Sequence, residues 1–249
     1  MRNIYAFECV EDYLKYEGII KRFSEKLEEY KNILAAEYEL VDIPNGIVWT
    51  NKELATTVFS STFAPAYTNK NAIYFSPDTQ EWKELFLKQL EGRSNERVET
   101  FYENMTENHI FEILAHELTH HSDLFCDNFD DMREDSIWFE EGMCFYLPRK
   151  IMLSDEEFTG ITETERELVE LFKGKYGGHS LDKFGNESYE SSLTSIMFDY
   201  WRSYLAVKYL VEVRSNNDIK QVFNDYHKWD KEGRKVSLTK YFGITNLFE

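Results

Sequence analysis

The chain has 249 residues, 42% of them hydrophobic and 30% charged, and its 28 Lys and Arg face 46 Asp and Glu for a net charge of −18. That length holds one large or two small domains with a substantial core, and the composition is that of a globular rather than a disordered protein. The acidic balance argues against nucleic acid and against an anionic membrane surface as partners, while an acidic surface would favour basic peptides.

Over residues 11 to 38, Tyr13, Leu14, Ile20, Phe23, Leu27, Tyr30 and Leu34 form a helical stripe, so residues 1–40 read as one long amphipathic helix. Between 40 and 76 the pattern changes to β-branched and aromatic runs: Ile47-Val48-Trp49, Thr56-Thr57-Val58-Phe59, Thr62-Phe63 and Ala72-Ile73-Tyr74-Phe75. These predict a small twisted sheet, with Thr68-Asn69-Lys70-Asn71 as a turn. Ser76-Pro77-Asp78 then opens a helix whose apolar side holds Trp82, Leu85, Phe86 and Leu90, and Glu91 to Val98 reads as a charged linker.

From Asn104 to Phe125 the apolar residues recur at helical spacing, and Asn104 with Glu107 can form a capping box. This helix carries His116-Glu117-Leu118-Thr119-His120-His121. Two histidines four residues apart share a helical face, so both imidazoles can reach one metal ion. Glu117 points to the neighbouring sector, near enough to hold a water and act as general base. Such an H-E-x-x-H helix has the local chemistry of a zinc hydrolase. His121 points about 100° away from His120 and is expected to support or pack.

A catalytic zinc usually takes three protein ligands and a water. Trp138 to Leu147 predicts a second helix, stopped by Pro148, that carries the adjacent carboxylates Glu140 and Glu141 among apolar residues. Carboxylates in such surroundings need partners, and a metal would satisfy one of them. Gly142 weakens that helix, which predicts a close approach of two backbones. Asp123, Asp127 and Glu140 are near enough in sequence to orient the ligand histidines.

After Pro148 the chain reads as mostly helical, with Thr162 and Glu165 as a capping pair for a helix ending near Gly177-Gly178. His179 follows in a loop as an outside candidate for substrate binding. The last helices are expected at roughly 195–214 and 217–230. The N-terminus lacks an apolar core of signal-peptide length, and no stretch approaches the roughly 20 apolar residues of a membrane span. Cys9, Cys126 and Cys144 form neither a disulfide framework nor a C-x-x-C metal pattern, which fits a reduced, cytoplasmic protein.

The H-E-x-x-H helix, followed about twenty residues later by a W-x-x-E-G-x-x-x-Y-L helix, resembles the gluzincin metallopeptidases, the thermolysin-like, aminopeptidase and peptidase MA-like branches. The segment Tyr200 to Leu210 is similar to a helix of the peptidase MA-like domains. The resemblance implies that His116, His120 and Glu141 bind one Zn2+ per chain, with Glu117 as the catalytic base. It places Tyr200, with Tyr204 as the fallback, as a donor to the oxyanion, and Glu140 as a residue that binds a substrate amine or holds a ligand histidine. It also implies a zincin-like α+β fold, in which a small mixed sheet and the metal-binding helix are followed by a mainly helical C-terminal subdomain. Residues 1–249 would then be a single catalytic unit, made of the helix at 1–40, the sheet and metal helix at 41–130 and the helical part at 131–249. An edge strand, at Val58 to Ala64 or at Ala72 to Phe75, would bind the extended substrate.

The third histidine typical of metzincins is not seen at its expected spacing after His120, and one departure stands beside this resemblance: the G-x-M-E-N strand of the classical aminopeptidases is absent. The expected function is a zinc metallopeptidase hydrolysing a peptide or protein substrate through a metal-activated water. The alternative is a zincin-like regulatory or binding module that holds metal with little turnover. A purely structural zinc site fits less well, since such sites favour cysteine ligands.

Overall fold

The computed structural model describes residues 1–59, 65–129, 135–185, 192–245 and 247. In chain order these form β1 (Arg2–Ala6), α1 (Val10–Glu37), β2 (Gly46–Thr50), the short α2 (Lys52–Leu54) running into a π-turn at Ala55–Phe59, β3 (Ala66–Thr68) and β4 (Ala72–Phe75). Then follow α3 (Thr79–Lys88), α4 (Glu96–Glu103), α5 (Glu107–Thr119), α6 (Ile137–Met152), α7 (Asp155–Tyr176) and a 3-10 turn at Leu181–Lys183. The chain closes with α8 (Leu193–Tyr209), extended by a π-turn at Leu210–Arg214, α9 (Ile219–Lys231) and α10 (Leu238–Tyr241). It is thus a mixed α+β protein in which helices predominate. No helix among the described residues is long and apolar enough to cross a membrane.

The chain divides into two compact units. The first comprises residues 1–88, 102–124 and 147–154. Its sheet has the order β1-β2-β4-β3, with β1, β2 and β4 parallel and β3 antiparallel to β4. Alternation along β4 turns Ile73 and Phe75 into the core. There Phe75 meets Phe23 of α1, Trp49 of β2 and Trp82 of α3, and Phe23 also packs edge-on to Phe111 of α5. On α1 the buried stripe is Ile20, Phe23, Leu27, Tyr30 and Leu34, while Leu14 is exposed.

Three local expectations change in this unit. The β-branched run Thr56 to Phe59 is helical, because Asn51 caps the turn and the Thr56 and Thr57 hydroxyls donate back to the Lys52 and Glu53 carbonyls. Thr62-Phe63 and the rest of 60–64 lie outside the described residues, so of the two edge strands expected, the described part of the first is a helix. β4 is no edge either: it is paired on both sides, and among the described residues β3 and β1 are the edges. The helix α6 continues through Pro148 instead of stopping there. Proline removes one backbone donor and crowds the preceding turn, but Arg149 beyond it is held in a buried ion pair that keeps the last turn in place.

The second unit comprises residues 89–101, 125–146 and 155–249. Its core is aromatic: Phe139 stacks on Tyr226 and Phe242, and Trp138 packs edge-on to Phe242. The charged linker is shorter than its composition suggests, since Asn95 caps α4 and Val98 is fully buried. Thr162 does not cap a helix. It lies inside α7, donates to the Phe158 carbonyl and pairs with the Tyr204 hydroxyl at 2.6 Å. Gly142 of α6 is pressed against α8: a Cβ there would sit 2.4 Å from the Ser203 carbonyl oxygen.

Candidate metal centre

The helix that carries the motif begins at Thr106, whose hydroxyl accepts the Asn108 N–H, while His109 Nδ1 accepts the Thr106 N–H. The capping box is therefore Thr106 with His109, not Asn104 with Glu107. Ile110, Leu114, Ala115 and Leu118 are wholly buried and fix which way the helix faces. Thr119 donates to the Ala115 carbonyl and pairs with the Tyr30 hydroxyl of α1 at 2.8 Å. Regular helix ends at Thr119, but His120 keeps right-handed helical backbone angles, φ −56° and ψ −19°. The spacing of four between His116 and His120 thus survives the helix end.

The two imidazoles converge, with Nε2 to Nε2 at 3.1 Å and ring planes at 76°. One ligand atom each of His116, His120 and Glu141 lie within 4.8 Å of one another. These side chains are almost closed to solvent, at 5%, 8% and 7% exposure, as is Glu117 at 8%. Two ring nitrogens and one carboxylate oxygen at this separation could hold a metal ion. Glu140 is also buried but is not part of this group.

Beside the group, His121 is buried and follows His120 directly. Its Nε2 lies 2.8 Å from the Thr68 hydroxyl on the edge strand β3. Burial first, then the neighbouring His120, pushes its pKa down to about 4. The Tyr200 hydroxyl on α8 donates to Glu141 Oε1 at 3.5 Å, and its ring sits edge-on to Phe145 and Phe184. Tyr204, the fallback, is a fully buried core residue bonded to Thr162 and packed on Phe158.

Two of the three acidic residues considered as supports for the histidines, Asp123 and Asp127, have other partners. Asp123 accepts the Val41 N–H, and its own N–H donates to the Glu39 carbonyl, which ties down the chain after α1. Asp127 binds Arg234 and accepts from Ser136. His179 is a loop residue, as expected, but it is held: its Nε2 is 2.9 Å from Asp199 Oδ1, and the buried Arg202 donates to its carbonyl oxygen. Burial alone would raise the Asp199 carboxyl, yet the His179 hydrogen bond and the Arg202 charge outweigh it and hold that carboxyl below the usual range.

Glu112 and Arg149 belong to no motif in the sequence, yet they meet in the structure. The Arg149 Nε donates to both carboxylate oxygens of Glu112, at 3.1 and 2.9 Å. The available signal was a glutamate one turn before His116 on an otherwise apolar helix. No family model, no curated protein and no solved structure matches this chain.

Proposed function

We propose that this protein is a zinc-dependent metallopeptidase of the gluzincin kind. The reading is supported above all by the convergence of His116, His120 and Glu141 donor atoms within 4.8 Å in a buried setting. Neutral imidazoles and a carboxylate fit a borderline cation such as zinc better than they fit a hard, all-oxygen cation such as calcium.

A zinc ion bound there supplies a Lewis acid for a peptide carbonyl and lowers the pKa of a water towards neutrality. Glu117, next to His116 in a nearly water-free setting, is the base that takes the proton of the attacking water and returns it to the departing amine. The Tyr200 hydroxyl, beside Glu141, donates to the carbonyl oxygen as its negative charge grows. Burial strengthens each of these interactions, because little water remains to screen them. Glu140, Glu141's neighbour, is the residue that would bind a substrate amine.

The test is metal analysis combined with cleavage of a peptide library. Purified protein is expected to carry one zinc per chain and to cleave peptides in a chelator-sensitive way. Glu117→Gln should keep the zinc and lose cleavage by about 10²–10⁴-fold. Metal-loaded protein without turnover would favour a binding or regulatory module, and full zinc retention in Glu141→Ala would overturn the ligand assignment.

A further inference from the structure

We infer that the buried ion pair between Glu112 and Arg149 is a positioning pair, setting the register in which α6 presents Glu141 to the histidines of α5. The inference rests on the zinc reading above. Both side chains are 3% exposed, and Arg149 Nε donates to both carboxylate oxygens of Glu112. Glu112, His116 and His120 follow one another at intervals of four on α5 and its last turn, and so do Glu141, Phe145 and Arg149 on α6. Each set therefore lines one helical face.

The two spans are equal. Glu112 to His120 is eight residues and Glu141 to Arg149 is eight residues, about 12 Å along each helix. The ion pair thus sits as far along α5 from His120 as it sits along α6 from Glu141. A slip of α6 by one residue would move Glu141 by about 1.5 Å and turn it by about 100°. Metal–ligand distances tolerate roughly ±0.2 Å, so such a slip would remove the third ligand.

Register, rather than stability, is what this pair adds. Two charges taken out of water gain little net stability over apolar residues of similar size, whereas a specified register is the best-attested use of a buried polar contact. The Nε–H of a planar guanidinium, shared between both carboxylate oxygens, also ties the contact to the orientation of that plane, which a freely rotating lysine ammonium does not.

Zinc affinity by chelator competition, with folding followed by circular dichroism, tests this on Arg149→Lys and on the apolar double variant Glu112→Leu/Arg149→Met. Both variants should melt cooperatively yet bind zinc about 10–100-fold more weakly than wild type, the range seen for outer-shell changes. The visible spectrum of the Co2+-loaded protein should shift as well, since it reports ligand geometry and not fold stability. Wild-type zinc affinity and an unchanged cobalt spectrum in a folded double variant overturn the inference. If the double variant does not fold, Arg149→Lys decides by the same readouts. Wild-type protein that binds no zinc overturns the metallopeptidase reading instead.

Discussion

Gly142 on α6 lies so close to Ser203 on α8 that a Cβ would stand 2.4 Å from the Ser203 carbonyl oxygen and 2.6 Å from Val207 Cγ2. The obstacle is backbone, which cannot swing aside as a flexible side chain can. Alanine would gain about 1 kcal/mol of helix propensity, but overpacking of this kind costs about 1–3 kcal/mol. Gly142→Ala is therefore expected to be destabilised overall and to bind zinc more weakly, since Glu141 is the residue before it. Thermal melts with and without zinc check this; an unchanged melting temperature would refute the close-approach argument.

His121 separates a ligand from a neighbour. It stands next to His120, yet it bonds to Thr68 on β3 at 2.8 Å. His121→Ala is thus expected to keep one zinc per chain while losing about 1 kcal/mol of stability, the worth of a typical hydrogen bond. His120→Ala should lose the metal. Zinc content and urea midpoints of the two variants distinguish the roles, and zinc loss in His121→Ala would make it a ligand.

The parts of the fold that were legible follow from periodicity. The α1 stripe, the β4 run and the motif helix repeat at the spacing of their structure, while β2 is a continuous apolar run buried at every position. β1 was not legible, because its residues are mostly exposed and its adjacent Ile4 and Tyr5 are equally open at 48%, so no alternation marks it. The Thr56 to Phe59 run misled because side-chain hydroxyls, not β-branching, decided its backbone. At the site, the His116–His120 spacing is arithmetic on one helix, whereas the Arg149 pairing needs knowledge of which helices meet. Pro148 concealed that pairing by suggesting a helix end before Arg149, whereas α6 runs on to Met152.

Tyr200 and Tyr204 lie one turn apart on α8 but in different surroundings. Tyr200 is partly exposed with its hydroxyl near Glu141, and Tyr204 is sealed against Thr162 and Phe158. Tyr200→Phe should fold normally and lose about 10²-fold in kcat with little change in KM, the signature of a missing oxyanion donor. Tyr204→Phe should leave kcat intact and cost about 1 kcal/mol, the worth of one hydrogen bond, since Thr162 keeps its bond to the Phe158 carbonyl. Steady-state kinetics and denaturant titration of both variants check this; equal kinetic losses would show that Tyr200 acts only through packing.

The sign of the pH dependence at Asp199 can be worked out. Burial opposes its charge, but the His179 hydrogen bond and the Arg202 guanidinium outweigh burial, so its folded pKa lies below the unfolded one. Stability from a depressed carboxyl is fully present above the unfolded pKa, about 4, and is lost as pH falls through the folded value. In Asp199→Asn the anion is missing at every pH, and Arg202, fully buried, loses its charged partner. The variant should be clearly less stable than wild type at pH 7. The gap should narrow as the pH falls below about 4, where wild type also protonates this group. Urea midpoints across this range measure it: a gap that stays constant to low pH would mean that Asp199 contributes packing and hydrogen bonding but no linked charge.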